Sequence, residues 1–524
     1  MTRYESSPFG NLLKRAVLGA ALFICAPAQA QDVALTSEGG GLDLSGRFIG
    51  FDGENIQIET EYGPLTLRYD TVNCSGDACP DLEGYVPELR LSGAGRMAEV
   101  LMPALVEGFA RSKGESVTFA ETDGGFTQTL VADGQDVGRF SFRVTNTDEG
   151  FADLIAHQAD MVMSVREVRA AEVNRARDAG LGQLDDASQS RIIGLDALVP
   201  VVSSRSDVRA ISLADLSRVF AGDVTDWSEI DGSNTPITLH LGPKTDGQMQ
   251  RFIDDVLGVA GKSLSDRVVR HVDHDAVAAA VGADAGALGI LPFTDVGVAQ
   301  PIALRDACGF ISSPRLTSLK TEDYPLTAPM FLYLPSRRLP PLARDFLAWM
   351  RGPQAQLVVR RAGFVDQGAV PIPLDAQGQR FANAIAAAGD DMPLIELQRM
   401  VRVLAARVRL STSFRFEVGS TRLDAQSRSN LLALAQAIRD GRYVGRPLML
   451  TGFSDGRGAA SANRDLSSAR AEAVLRDLQA LLGGTLPHSV VVETEAFGEA
   501  LPMGCDDTEW GRQMNRRVEL WVSQ

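Results

Sequence analysis

The period of apolar and polar positions changes along this chain and divides it into four stretches. Residues 31–88 carry short alternating segments, 48–53 and 56–62, punctuated by Gly53 and Gly63, and predict a small β unit. From 89 to 385 strand-like runs alternate with helical ones. The strands expected there are 115–120, 161–165, 192–202, 237–241 and 287–291. Between them, Met97, Leu101, Leu105 and Phe109 mark one face of a helix over 96–111, which Pro103 should break and restart near Met102. Such a length suits two α/β lobes. Residues 386–408 read as a connector, with a boundary at 386–391 including Asp390 and Asp391, and a bridging helix over 394–409. In residues 409–524, Leu431, Leu434, Ala435 and Ile438 mark one helix and Val474, Leu478, Leu481 and Leu482 a second. Strands at 448–452, 490–497 and 517–522 complete helices packed on one sheet.

Composition adds compartment and charge. The chain has 524 residues, enough for three or so folded units, with 51 basic and 67 acidic side chains and a net charge of −16. That balance argues against nucleic acid and against a polybasic membrane surface. Arg3, Lys14 and Arg15 precede an apolar run over 16–26 and an Ala28-Gln29-Ala30 cleavage signal, so residues 1–30 read as a secretory leader. Bulky Phe23 and Ile24 before Cys25 speak against a lipoprotein signal. Beyond the leader nothing approaches the roughly 18 consecutive apolar residues of a membrane-spanning helix. Four cysteines then remain for an oxidising compartment. Cys74 and Cys79 enclose a turn-like Ser-Gly-Asp-Ala and are expected to bond; pairing of Cys308 with Cys505 stays open.

The C-terminal stretch holds ordered motifs: 416–426 reads Phe-Glu-Val-Gly-Ser-Thr-Arg-Leu-Asp-Ala-Gln, followed by Thr451-Gly-Phe-Ser-Asp455, Asn463, Leu466-Ser467, Arg470-Ala471, Gly498-Glu499 and Asn515-Arg516-Arg517-Val518-Glu519. Over 409–524 this resembles the OmpA-like peptidoglycan-binding domain, an α+β fold. The resemblance implies that Asp455 and Arg470 bind the diaminopimelate of the wall's stem peptide, supported by Asn463, Arg516 and Arg517. The chemistry fits, since a carboxylate accepts from the ligand's ammonium and a guanidinium grips its carboxylate through two parallel bonds. Taken alone, Ser454-Asp455-Gly456 would read as a turn and Arg470 as a surface helix residue.

The middle stretch carries four further pieces: Leu91-Ser-Gly-Ala-Gly95; Thr122-Asp-Gly-Gly-Phe126; Ala159-Asp160-Met-Val-Met-Ser-Val-Arg166; and 193–229 with Leu213-Ala-Asp-Leu-Ser-Arg-Val-Phe-Ala-Gly222. Over 89–385 these resemble the phosphate-binding proteins of ABC transporters, a two-lobed type 2 periplasmic-binding fold. The resemblance implies a ligand held between lobes by loop amides and helix N-termini. Its implied ligand residues are Ser92, Gly93 and Ala94, then Thr122, Asp123 and Gly124, Asp160 as acceptor of the ligand's proton, and Lys244, Thr245, Asp246, Gly247 and Gln248. Ser92 and Asp160 can equally be read as strand-end capping and turn residues. In the last loop the family's arginine is missing and Asp246 stands for a serine; Asp123 likewise replaces a hydroxyl residue. Two unpaired carboxylates beside phosphate would cost about 1 kcal/mol each at 4 Å in water, and more in a closed cleft. The expected ligand is therefore phosphate bound weakly, another anion, a zwitterion or a wall fragment.

Enzyme motifs are sparse. His271-Val-Asp-His274-Asp275 lacks a third metal ligand and reads as a solvated loop leading into a helix, and there is no G-x-x-x-x-G-K-[ST] phosphate loop. The sequence thus predicts an α/β protein: a small β unit, a two-lobed solute-binding domain and a wall anchor, in the periplasm of a Gram-negative cell. No cofactor or metal is expected. The expected partners are peptidoglycan, a small ligand, and a transporter or outer-membrane proteins, with no nucleic acid. The alternatives are a structural link with a degenerate cleft and, less favoured, a hydrolase.

Overall fold

The computed structural model describes residues 32–37, 40–82, 84–389, 392–417 and 420–523. The leader read over 1–30, the boundary pair Asp390 and Asp391, and Val418-Gly419 of the C-terminal motif lie outside them. Two units separate, 1–85 and 86–524.

In the first unit five antiparallel strands form one sheet in the order Gly63–Arg68, Asn55–Thr60, Asp43–Phe51, Asp32–Ser37, Val72–Ser75. Val33, Leu35, Ile56, Ile58 and Val72 bury one face. So small a core is thin by itself, and the Cys74–Cys79 disulfide closes the turn after the last strand.

The second unit begins with strand Glu88–Ala94, which runs directly into a π-helical turn, Met97–Leu101, and the helix Met102–Lys113. Pro103 explains the junction: it sits at the start of the α-helix, where its missing N–H is tolerated. A meander, Ser116–Thr122, Gly125–Ala132 and Gln135–Thr145, extends the sheet outward before the helix Thr147–Ile155 and the strand Met161–Ser164.

Strand Ser190–Val202 joins the lobes. Its residues 190–197 pair with strand Thr327–Tyr333 of the first lobe, and 198–202 with strand Ala287–Pro292 of the second. It is apolar nearly throughout, as expected of a strand covered on both faces. One apolar core, around Leu91, Leu105, Phe140 and Phe346, fills the first lobe. Another, around Leu216, Phe220, Leu241 and Ile290, fills the second.

The C-terminal sheet has the order Pro371–Ile372, Arg407–Arg415, Arg517–Ser523, Leu448–Phe453, Val492–Ala496. Helices Ala425–Arg439 and Ala460–Leu481 pack on one face through Leu431, Leu434, Val474 and Leu520. Helices Gly378–Ala386 and Leu394–Ala405 cover the other through Leu397, Met400 and Trp521. The expected bridging helix stops at Ala405, because the next residues enter the sheet.

This module is welded to the two lobes. Asp323 takes ion pairs from Arg409 at 2.8 Å and Arg415 at 3.3 Å. Arg415 also donates to the Glu322 carbonyl at 2.8 Å. Cys308 bonds to Cys505, which resolves the pairing left open above, and the Cys505 amide donates to Asp306 at 2.7 Å.

Candidate functional site

The cleft between the lobes is built from two helix starts. Asn146 caps helix Thr147–Ile155 by accepting from the Glu149 amide at 2.9 Å, and Asp246 caps helix Gly247–Phe252 by accepting from Gln248 at 2.8 Å. The starts nearly touch: a Cβ on Gly247 would lie 3.5 Å from Thr147 Oγ1. Beside that contact is a cavity of about 230 Å³ lined by Asp148, Glu149, Asp246 and Asp254 and by Arg166, Lys244 and Arg251. Arg166 is held by Asp148 and by Glu172 at 2.7 Å. Arg251 is held by Asp255 at 2.9 Å and donates to the carbonyls of Val165 and Thr327. Arg169 crosses the cleft to Asp254 at 3.1 Å. Lys244 alone of the lining cations is exposed and, among the described residues, outside any ion pair.

Asp246 is not the unpaired carboxylate expected. His274, only 9% exposed, donates to Asp246 at 2.6 Å and to Asp295 at 2.8 Å, and Arg96 of the other lobe pairs with Asp295. Burial works against the charged imidazole, but the bonds to the two carboxylates outweigh it and raise its pKa to about 9. His274 is therefore a buried cation, not part of a solvated loop. His271 instead faces His240, ring nitrogens 3.0 Å apart.

In the C-terminal module Asp455 follows strand Leu448–Phe453 and Arg470 projects from helix Ala460–Leu481. Arg516 pairs with Asp455 at 3.0 Å and with Glu509 at 2.5 Å. Arg470 is 6% exposed, its guanidinium carbon 5.5 Å from the centre of the Phe416 ring. Its Nε and Nη1 have no hydrogen-bond partner among the described residues. Burial and the charge of Arg516 lower its pKa, and Asp455 opposes them. Asn463, two turns earlier on the same helix, donates to Glu499.

Residues 88–353 match the PBP superfamily domain, about half of the sequence. The chain belongs to the PBP superfamily. Residues 415–516 of this PBP superfamily chain form an OmpA family domain. Among curated relatives, Protein SphX of Synechococcus elongatus is 23% identical over 202 residues, 36% of this chain and 58% of that protein. The phosphate-binding protein PstS of Bacillus subtilis is 25% identical over 196 residues, 37% of this chain and 60% of its own length. A peptidoglycan-associated lipoprotein of Pseudomonas putida is 34% identical over 115 residues, 22% of this chain and 65% of that protein. The chain thus spans about three fifths of the length of the curated relatives it matches. An ABC-type phosphate transport receptor from Vibrio cholerae superposes with a TM-score of 0.42 at 15% identity, covering 53% of this chain and 99% of that one.

Several residues implied by resemblance fall elsewhere in this PBP superfamily fold. Asp160 precedes strand Met161–Ser164, which runs parallel to Glu88–Ala94, so it lies at the end away from the helix starts. There it accepts from Arg90 at 3.0 and 3.1 Å and pairs with Arg337. Burial opposes ionisation, but the Arg90 bonds and the Arg337 charge hold its carboxyl below the usual range. Ser92, Gly93 and Ala94 are not a loop but strand residues in register with Gln135–Thr145, and the Ser92 hydroxyl bonds Asp153 at 2.5 Å. Thr122, Asp123 and Gly124 belong to a hairpin tip, because two extra strands precede the true strand-to-helix turn at Thr145-Asn146-Thr147. Arg517 is fully buried against Glu519 at 2.8 Å and the Phe453 ring, and burial lowers its pKa. It supports the sheet rather than the binding surface. Lys244, Thr245, Asp246 and Gly247 do line the cleft, and Gln248 lies beneath it with its Nε2 on Asp196. Thr147 was missed, while Arg166 and His274, though quoted in their motifs, were not assigned to the cleft.

Proposed function

We propose that this chain is a periplasmic solute-binding protein held to the cell wall by its OmpA domain, which grips diaminopimelate through Asp455 and Arg470. The observation that carries the reading is Arg470, a nearly buried guanidinium near Asp455 with two nitrogens that have no partner among the described residues. A buried donor without an acceptor is costly, and a ligand carboxylate would remove the cost. Asp455, shared with Arg516 in the free protein, would take the ligand's ammonium. The name of the Pseudomonas relative, peptidoglycan-associated lipoprotein, agrees. Arg470→Ala and Asp455→Ala should each weaken pull-down by purified diaminopimelate-type wall at least about tenfold while leaving circular dichroism unchanged. Wall binding equal to wild type in both variants would remove the assignment.

For the cleft, the reading is a small ligand other than a tightly held phosphate. Asp148 and Glu149 occupy the first turn of one helix and Asp246 caps the other, so the positive helix ends already face carboxylates. Lys244 is left to attract, which suits a zwitterion or a weak anion. Calorimetric titration of the whole chain with phosphate should show weak or no heat, and a tight, saturable response would overturn this reading. A second reading, a cleft that only links envelope partners, is favoured by the Gly247–Thr147 contact and the Arg96–Asp295 and Arg169–Asp254 pairs across it. Thermal stabilisation by a small ligand would decide against it, since binding to the native state alone must raise stability.

A further inference from the structure

A second cavity, about 330 Å³, opens where the OmpA module meets the lobes, separate from both sites above except for the shared Arg166 and Arg251. Its walls come from the end of the first lobe at Arg166 and Glu167, the turn and strand at Glu322–Phe331, and the C-terminal residues Arg415, Asp424, Gln426 and Trp510. No single-domain relative of either half could form it, because each half contributes one side.

The lining is rich in acceptors, and among the described residues its one buried donor without a partner is the Arg415 Nε. All three arginines are engaged: Arg166 with Asp148 and Glu172, Arg251 with Asp255 and two carbonyls, and Arg415 with the carbonyls of Met514 and Glu322 and with Asp323. Glu167, Glu322 and Asp424 take part in no ion pair among the described residues. Asp424 accepts the Ser427 amide as a helix cap, and Glu322 has only a long 3.4 Å contact from Asn430. Independently of these acids, Gln426 is 4% exposed, and its Oε1 has no partner among the described residues. Trp510 adds an aromatic face, to which a cation is attracted.

The geometry points to this cavity as a binding site for a small organic cation, a ligand bearing a primary ammonium whose donors meet Glu322, Glu167 and the Gln426 carbonyl. The volume suits a small ligand, and the missing complement is a donor with positive charge. Loss of hydration, then the charge of Asp424, raises the pKa of both Glu167 and Glu322, the latter to about 8. A bound ammonium would favour their ionised forms and draw both values back down.

The test uses the full disulfide-bonded chain and a five-carbon series that differs in charge: cadaverine, neutral pentanediol and anionic glutarate. Calorimetry should show saturable binding of cadaverine alone, accompanied by a fluorescence change that Trp510→Phe abolishes. Glu322→Gln, which keeps the side chain's shape, should weaken binding about tenfold, and Gln426→Leu comparably. If Gln426→Leu fails to fold, Glu322→Gln carries the comparison. The proposal is overturned by the absence of saturable cadaverine binding up to about 10 mM, by preference for glutarate or pentanediol, or by unchanged affinity in Glu322→Gln, which would locate the ligand elsewhere.

Discussion

His274 shows how much a single side chain can decide. Enclosed by Asp246 and Asp295, with Arg96 beyond, its pKa is raised from 6.5 to about 9. The native state therefore binds more protons than the unfolded chain between those values. The resulting stability is fully present below the unfolded pKa and is lost as pH rises through the folded one. At most about 3 kcal/mol is involved. Urea unfolding should show a falling midpoint across that window, and His274→Asn should flatten it; an unchanged slope in the variant would mean the imidazole is neutral. The same residue marks a limit of reading from sequence. Its partners lie 21 and 28 positions away, so nothing local distinguished a buried cation from a solvated loop. Asp455 and Arg470 stood out because several motifs surround them in order, whereas Arg517 in the same run turned out to face the opposite side of its strand.

At the scale of elements, close backbone approach governs what can change. Gly93 has φ of +138°, and a Cβ there would lie 2.1 Å from the Met163 carbonyl oxygen. Gly93→Ala should cost about 3 kcal/mol or more in chemical denaturation. Gly247→Ala meets only ordinary contacts, from 3.4 Å, and should fold normally. Equal stability of the two variants would contradict this packing. Strands such as Ser190–Val202 were legible because a strand covered on both faces is apolar along its length. Thr122-Asp-Gly-Gly was misread for a reason equally physical: a hairpin tip and a loop leading into a helix call for the same glycines. Asp160 was misplaced because sheet direction is a property of pairing, and its strand's own residues do not say which end faces the cleft.

At the scale of the whole molecule, the two halves seen in the sequence are more tightly joined than a connector implies. The short strand Pro371–Ile372 adds to the C-terminal sheet, Asp323 draws in Arg409 and Arg415, and one disulfide spans 197 positions. The ion pairs that join the halves are nonlocal and carry no motif, so the connector read over 386–408 gave no sign of them. That disulfide also makes the backbone between its cysteines a closed ring. A protease that cuts the ring once, at any bond between residues 308 and 505, severs the polypeptide without releasing either fragment. Nicked protein should run as one band on a non-reducing gel and as two after thiol treatment. A single break in the polypeptide would then leave the two lobes covalently moored to the OmpA domain.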